Sequence, residues 1–250
     1  ATPSNGKEPI QALGTASLDF QGTYAIHEPR VKIHGRITLA QDFESANFEY
    51  ANIYVVDGGW INVQCPFKFL HSKVSGSSLP NAGSGFKIDG TIQAQISGSH
   101  FYGLLNGLEL NPPNVQAFDL NHCVFEQCTE GLAVYRDGVR LNSTHFTHCG
   151  TGIQTFADGV LSMESCISKF NDLGISLMSN NGLVLKAVNC DFNSNQLAIS
   201  SLDPNSIGML CCRFQHNELA LQLNTTELIM TDQNPHGWIC GQNSFNGNLS

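Results

Sequence analysis

A segment of 21 to 25 residues recurs six times between Ser97 and Phe214, and nothing else in the 250-residue chain limits its fold so tightly. The copies open at Ser97–Phe101, Asn121–Phe125, Asn142–Phe146, Met163–Ile167, Val188–Phe192 and Leu210–Phe214. Aligned in this way they give a column of large apolar residues: Phe101, Phe125, Phe146, Ile167, Phe192 and Phe214. A second column trails it at Leu108, Leu132, Ile153, Ile175, Leu197 and Leu219, its first four members following Gly107, Gly131, Gly152 and Gly174. A third precedes it at Ile96, Leu120, Leu141, Ala187 and Met209. Each copy thus holds three short pieces that alternate apolar and polar at period two, the strand period, parted by Gly, Asn and Asp corners.

A fixed period of this kind marks a repeat architecture. Copies this short cannot hold a βαβ unit, which needs about 30 residues, or a propeller blade of roughly 40. No copy shows the leucine-rich frame. A parallel β-solenoid with three strands per coil fits, equivalent positions stacking at about 4.8 Å, so that the Phe column becomes a buried ladder. About nine coils are expected.

Composition agrees. Only 13% of residues are charged, whereas Gly (24) and Asn (23), the residues of turns with positive φ, are abundant. That mixture is too poor in Glu, Lys and Arg for long surface helices, while 41% hydrophobic residues argue against disorder. The net charge of −9 lacks the basic patch a nucleic-acid partner requires. No run of 18 apolar residues is present to span a membrane.

Outside the clear copies, Val31–Leu39 and Asn52–Val56 alternate like strands, Asp57-Gly58-Gly59 reads as a turn before Trp60, and Ser72–Gly85 as a loop leaving one coil. Residues 1–20 are read as a leading linker segment and 21–250 as one domain, with Phe245 in a last coil after an insertion. The chain begins with Ala1 and is expected to be a processed or excised part of a larger secreted or cell-surface protein.

The copies Asn121–Gly138, Asn142–Gly159 and Asn189–Leu202, with their Asn-x-x-x-Phe or Asn-Cys-x-Phe strand and Gly-Ile or Gly-Leu step, resemble the right-handed parallel β-helix repeats of the pectin-lyase-like superfamily. They also look like β-helix segments of large secreted or surface proteins of Bacteroidetes-type bacteria. The resemblance covers residues 90 to 225 well. It implies an all-β, right-handed parallel β-helix, and leaves function open, because this fold hosts lyases, hydrolases, epimerases and adhesins. Lyases of the fold, as the resemblance implies, use a basic residue as Brønsted base and often a Ca²⁺ held by carboxylates.

Groups for such chemistry are few. Asp137 and Asp158 both lie 12 residues past their Phe, so they should stack and could share a Ca²⁺ with loop carbonyls; a plain Asp-Gly turn is the simpler reading. No cofactor is otherwise expected. Arg140, Lys186 and Arg213 project near the repeat strands, Arg213 one coil after Asp191, where a cross-coil ion pair is expected. His100 and His145 share a position, but Val124 separates them. Cys128–Cys149 and Cys190–Cys212 fall in register on adjacent coils, within the Cα span of a disulfide; a ladder of reduced thiols fills the same space. Tyr54, Trp60, Tyr102, Tyr135 and Trp238 do not share a column. A non-catalytic structural, binding or adhesion module follows, its partners being other domains of the same protein or an extracellular glycan or protein. A carbohydrate-active lyase or hydrolase is the alternative.

Overall fold

A computed structural model describes residues 17–21, 31–41, 44–76, 82–89, 92–111, 117–179, 182–201, 205–223, 227–231 and 244–247. The strands stack in parallel into three faces. Face A is, among the described residues, one sheet of ten strands, from Ser17–Gln21 through Phe118–Asn121, Val139–Asn142, Gly159–Glu164 and Leu183–Val188 to Glu227–Thr231. Face B is built from three-residue strands such as His100–Tyr102, Val124–Glu126, His145–Thr147, Ile167–Lys169, Asp191–Asn193 and Arg213–Gln215. Face C takes five-residue strands such as Asn106–Leu110, Glu130–Val134, Thr151–Thr155, Leu173–Leu177, Leu197–Ser201 and Leu219–Leu223. No helix long and apolar enough to cross a membrane occurs among the described residues.

The corners set the register. The face B strands from His100–Tyr102 to Arg213–Gln215 are each bracketed by two residues in the left-handed region, five apart: Gly98/Gly103, His122/Gln127, Ser143/His148, Ser165/Phe170, Asn189/Ser194 and Cys211/His216. Two such residues turn the chain twice within seven positions, at a steric cost for every member that is not glycine. Just inside the first corner stands a small hydrogen-bond donor: Ser72, Ser99, Cys123, Thr144, Cys166, Cys190 or Cys212, each bonded to the carbonyl two residues earlier. Just inside the second stand Cys128, Cys149, Asn171, Asn195 and Asn217. The three asparagines donate to the carbonyls of Phe146, Ser168 and Phe192 in the preceding coil. Buried backbone acceptors at the bends are thereby satisfied, as a buried corner requires.

The interior is the predicted ladder with one change. Phe101, Phe125 and Phe146 stack at 4.5 and 5.0 Å, and Phe192 and Phe214 at 4.8 Å. Between the two runs the position belongs to Ser168, not Ile167, which points outward beside His145 and Asp191. The corners decide this: Ser165 and Phe170 leave only the middle residue of Ile167–Lys169 facing inward. The apolar column thus gives way to a buried polar plug, in which Asn171 donates to Ser168 Oγ and to Asn195 Oδ1. The trailing column likewise continues through Ile199 and Leu221, since Leu197 opens its strand opposite Leu173 and Leu219 opens the next opposite Leu197. Beside it, Gly107, Gly131, Gly152 and Gly174 hold the coils close. A Cβ on Gly131 would come 2.6 Å from the Gly152 carbonyl oxygen and 3.0 Å from the Phe146 ring.

The N-terminal coils differ in detail. Val31–Leu39 and Asn52–Val63 run through faces B and C as continuous bent strands, with a bulge between His34 and Arg36. Residues 57–59, read as a turn, lie within the second of these. Lys73–Gly76 is a face B strand, so the supposed loop from Ser72 starts later. Ser17–Gln21 already pairs with Ser45–Glu49, and Phe245 stands opposite Phe214 as expected.

Candidate functional site

The groups singled out for chemistry divide between two places. On face A the outward rows run Asp119–Arg140–Ser162–Lys186 and Asn121–Asn142–Glu164–Val188. These side chains line a shallow groove of about 440 Å³. Arg140 Nε lies 2.9 Å from Asp119 Oδ1, the two side chains being 61% and 53% exposed, which places the pair among those contributing about 0–1 kcal/mol. Lys186 stands in the same groove one coil beyond Ser162.

Asp137 and Asp158 lie elsewhere, at the corner from face C to face A. They do not stack on each other, because Val139 pairs with Leu161, so that the later copy carries one extra residue and Asp137 abuts Gly159. Asp137 Oδ1 accepts hydrogen bonds from the amides of Gly138 and Val160, and Asp158 Oδ1 accepts one from the Ser179 hydroxyl. Both carboxylates thus brace their turn against the next coil. Among the described residues no group of three or more His, Cys, Asp or Glu is arranged to hold a metal ion. With Tyr135, Phe156, Ala157 and Gly159 they line an open recess of about 510 Å³.

Faces B and C bear the remaining charged contacts. Arg213 forms the expected ion pair with Asp191, at 2.7 and 3.2 Å, and the Asp191 carboxylate raises its guanidinium pKa. His100 Nε2 lies 3.0 Å from Glu126 Oε2. Burial and then the Lys73 ammonium hold this imidazole below its ordinary pKa, against the pull of Glu126. Val124 does separate His100 from His145. His145 is held low by burial and then by Lys169. On face C Lys87 pairs with Glu109 at 2.9 Å. Glu130 is pushed up by burial and by Glu109.

The thiols stack as their spacing implied, yet Cys128, Cys149, Cys190 and Cys212 carry no disulfide, nor do Cys65, Cys123 and Cys166. The two proposed disulfides are therefore absent, because stacked side chains point in parallel and each sulfur is engaged with backbone. Cys190 Sγ contacts the Val188 and Met163 carbonyls at 3.3 and 3.7 Å, and Cys212 Sγ those of Ala187 and Leu210 at 3.4 and 3.6 Å. A hydrogen bond between the two thiols raises the Cys128 pKa and lowers that of Cys149. Cys123, with no thiol neighbour, is pushed up to about 11 by burial. Among the described residues Cys211, at an exterior corner, is disulfide-bonded.

One arrangement escaped the sequence reading. Tyr135 stacks on Phe156 with ring centroids 4.6 Å apart and planes 6° from parallel, both exposed at the corner after face C. Tyr135 was one of five scattered aromatics, and Phe156 was not among them. The signal that could have found the pair is their common position, one residue past the paired Val134 and Thr155. Trp238 lies outside the described residues.

A protein-family model described as a right handed beta helix region matches residues 52–225. No curated protein and no solved structure gave a match. With 174 of 250 residues covered by that match, and with three parallel faces closed around a stacked core, the chain belongs to the right-handed β-helix family.

Proposed function

We propose that the chain is a non-catalytic, rigid β-helix module of a larger secreted or cell-surface protein, serving structure, binding or adhesion. The observation that carries this reading is where the charged groups go. Arg140, Arg213, Lys87 and His100 each meet a carboxylate on a neighbouring coil, and Asp137 and Asp158 brace turns. Hydrolysis of a glycosidic bond needs two carboxyl groups flanking it, about 5 to 9.5 Å apart across a cleft, and Asp137 and Asp158 are instead engaged with the chain's own donors. The resemblance of the copies to β-helix segments of large secreted bacterial proteins supports the proposed location. Other domains of the same protein, or an extracellular glycan or protein, are its partners.

The second reading, a carbohydrate-active enzyme, is favoured by the face A groove, where Arg140 and Lys186 could meet an acidic glycan. Incubation with acidic and neutral polysaccharides separates the two. Neither absorbance near 235 nm, from unsaturated products, nor reducing ends should rise above the blank. Turnover that disappears in Lys186→Ala would establish the enzyme instead.

A further inference from the structure

Tyr135, Phe156 and Met178 each follow the last residue of one of three successive face C strands, and each is tied to the coil before. Their amides donate to the carbonyls of Leu110, Val134 and Thr155 at 2.8, 2.8 and 2.9 Å. They are exposed by 37, 37 and 43%, large values for aromatic and thioether side chains aligned in one strip. Tyr, Phe and Met are also among the residues enriched where interfaces are fully buried.

The margin of this strip is acidic. Asp137 and Asp158 share the recess with both rings. Burial, then the charges of Glu109 and Glu130, raise the Tyr135 phenol pKa. Lys87, which acts on the same phenol in the opposite sense, is held by Glu109. Each ring covers one face of the other, and their edges face the recess that holds both carboxylates. Acidic glycans and nucleic acids are repelled by the carboxylates.

We propose that this ledge docks an extended segment of a partner protein that carries both cationic and apolar side chains. Its arginine or lysine stems lie along the ring edges, with their charged heads toward Asp137 and Asp158, and its apolar residues cover Phe156 and Met178. The proposal rests on the reading of the chain as a binding module, and it adds where binding occurs and to what chemistry.

Fluorescence anisotropy with a labelled nonapeptide of alternating arginine and leucine tests it on the full chain. Binding should weaken about tenfold or more in Tyr135→Thr/Phe156→Thr, as for loss of anchor side chains, and also in Asp158→Asn. It should be unchanged in Glu44→Gln, which removes one exposed charge far along the chain. Circular dichroism and melting confirm that each variant is folded. Four results would overturn the proposal: no binding, binding indifferent to the ledge variants, equal binding of a glutamate–leucine peptide, or displacement by a neutral hexasaccharide. None of these creates glycan turnover, so failure of the ledge and failure of the non-catalytic reading remain distinguishable.

Discussion

Asn195 shows how much one side chain carries in this molecule. Its Oδ1 accepts from the Asn171 amide and side chain, and its Nδ2 donates to the Ser168 carbonyl and to Asn217 Oδ1. Asn195→Ala strands at least one buried amide and one buried carbonyl, each at about 1–3 kcal/mol, so urea unfolding should show a loss of about 3 kcal/mol. Ser168→Ala should cost less than about 1 kcal/mol, because Asn171 Nδ2 keeps the Phe146 carbonyl and Asn195 Oδ1. Equal losses would mean that the polar plug is not organised around Asn195. Cys123 makes a pH-dependent contribution. The folded protein holds its proton to about pH 11, against an ordinary value of 9.0. The folded state thus binds more protons than the unfolded chain in this window, and stability falls with rising pH. The contribution is complete below pH 9 and lost as pH climbs through 11. Cys123→Ala should flatten the alkaline limb of a plot of unfolding midpoint against pH; an unchanged limb would contradict the assignment.

The pieces of each coil were easier to read than their alignment. Alternation and Gly/Asn/Asp corners gave three strands per copy, and the Phe positions gave five of six ladder members. Ile167 was misplaced because hydrophobicity is a poor guide where the chain turns twice within seven residues. The paired left-handed corners decide which residue faces in, and Ser165 and Phe170 carry no compositional mark of that conformation. The one-residue offset between Asp137 and Asp158 arose in the same way, from an added residue that a count from Phe hides. Corner strain also gives a prediction. Asn visits the left-handed region more readily than other residues with a Cβ, most of which pay roughly 1–2 kcal/mol there. Ser165→Asn should therefore raise stability by about 0.5–1 kcal/mol, and Ser165→Val should lower it by more than about 1 kcal/mol. A reversed order in thermal melts would show that this corner is not left-handed.

At the scale of the whole molecule, the scarcity of charge, the abundance of Asn and Gly and the row of buried thiols have one cause. A three-faced stack requires small donors and left-handed residues at every corner, and side chains for an inward ladder; few positions remain that call for a charge. Function was less legible, because a site on a stacked fold is assembled from different coils. Tyr135 and Phe156 meet only once the register of Val134 and Thr155 is known. The central claim is that these coils stack in the register set by their corners, with Ser168 inside and Ile167 outside. Maleimide labelling of the native protein tests it, comparing Ile167→Cys with Ser168→Cys against the unsubstituted chain. The account predicts extra labelling within minutes for Ile167→Cys. For Ser168→Cys it predicts none until urea unfolds the chain and releases the seven buried thiols as well. Rapid labelling of Ser168→Cys, with Ile167→Cys protected, would contradict it.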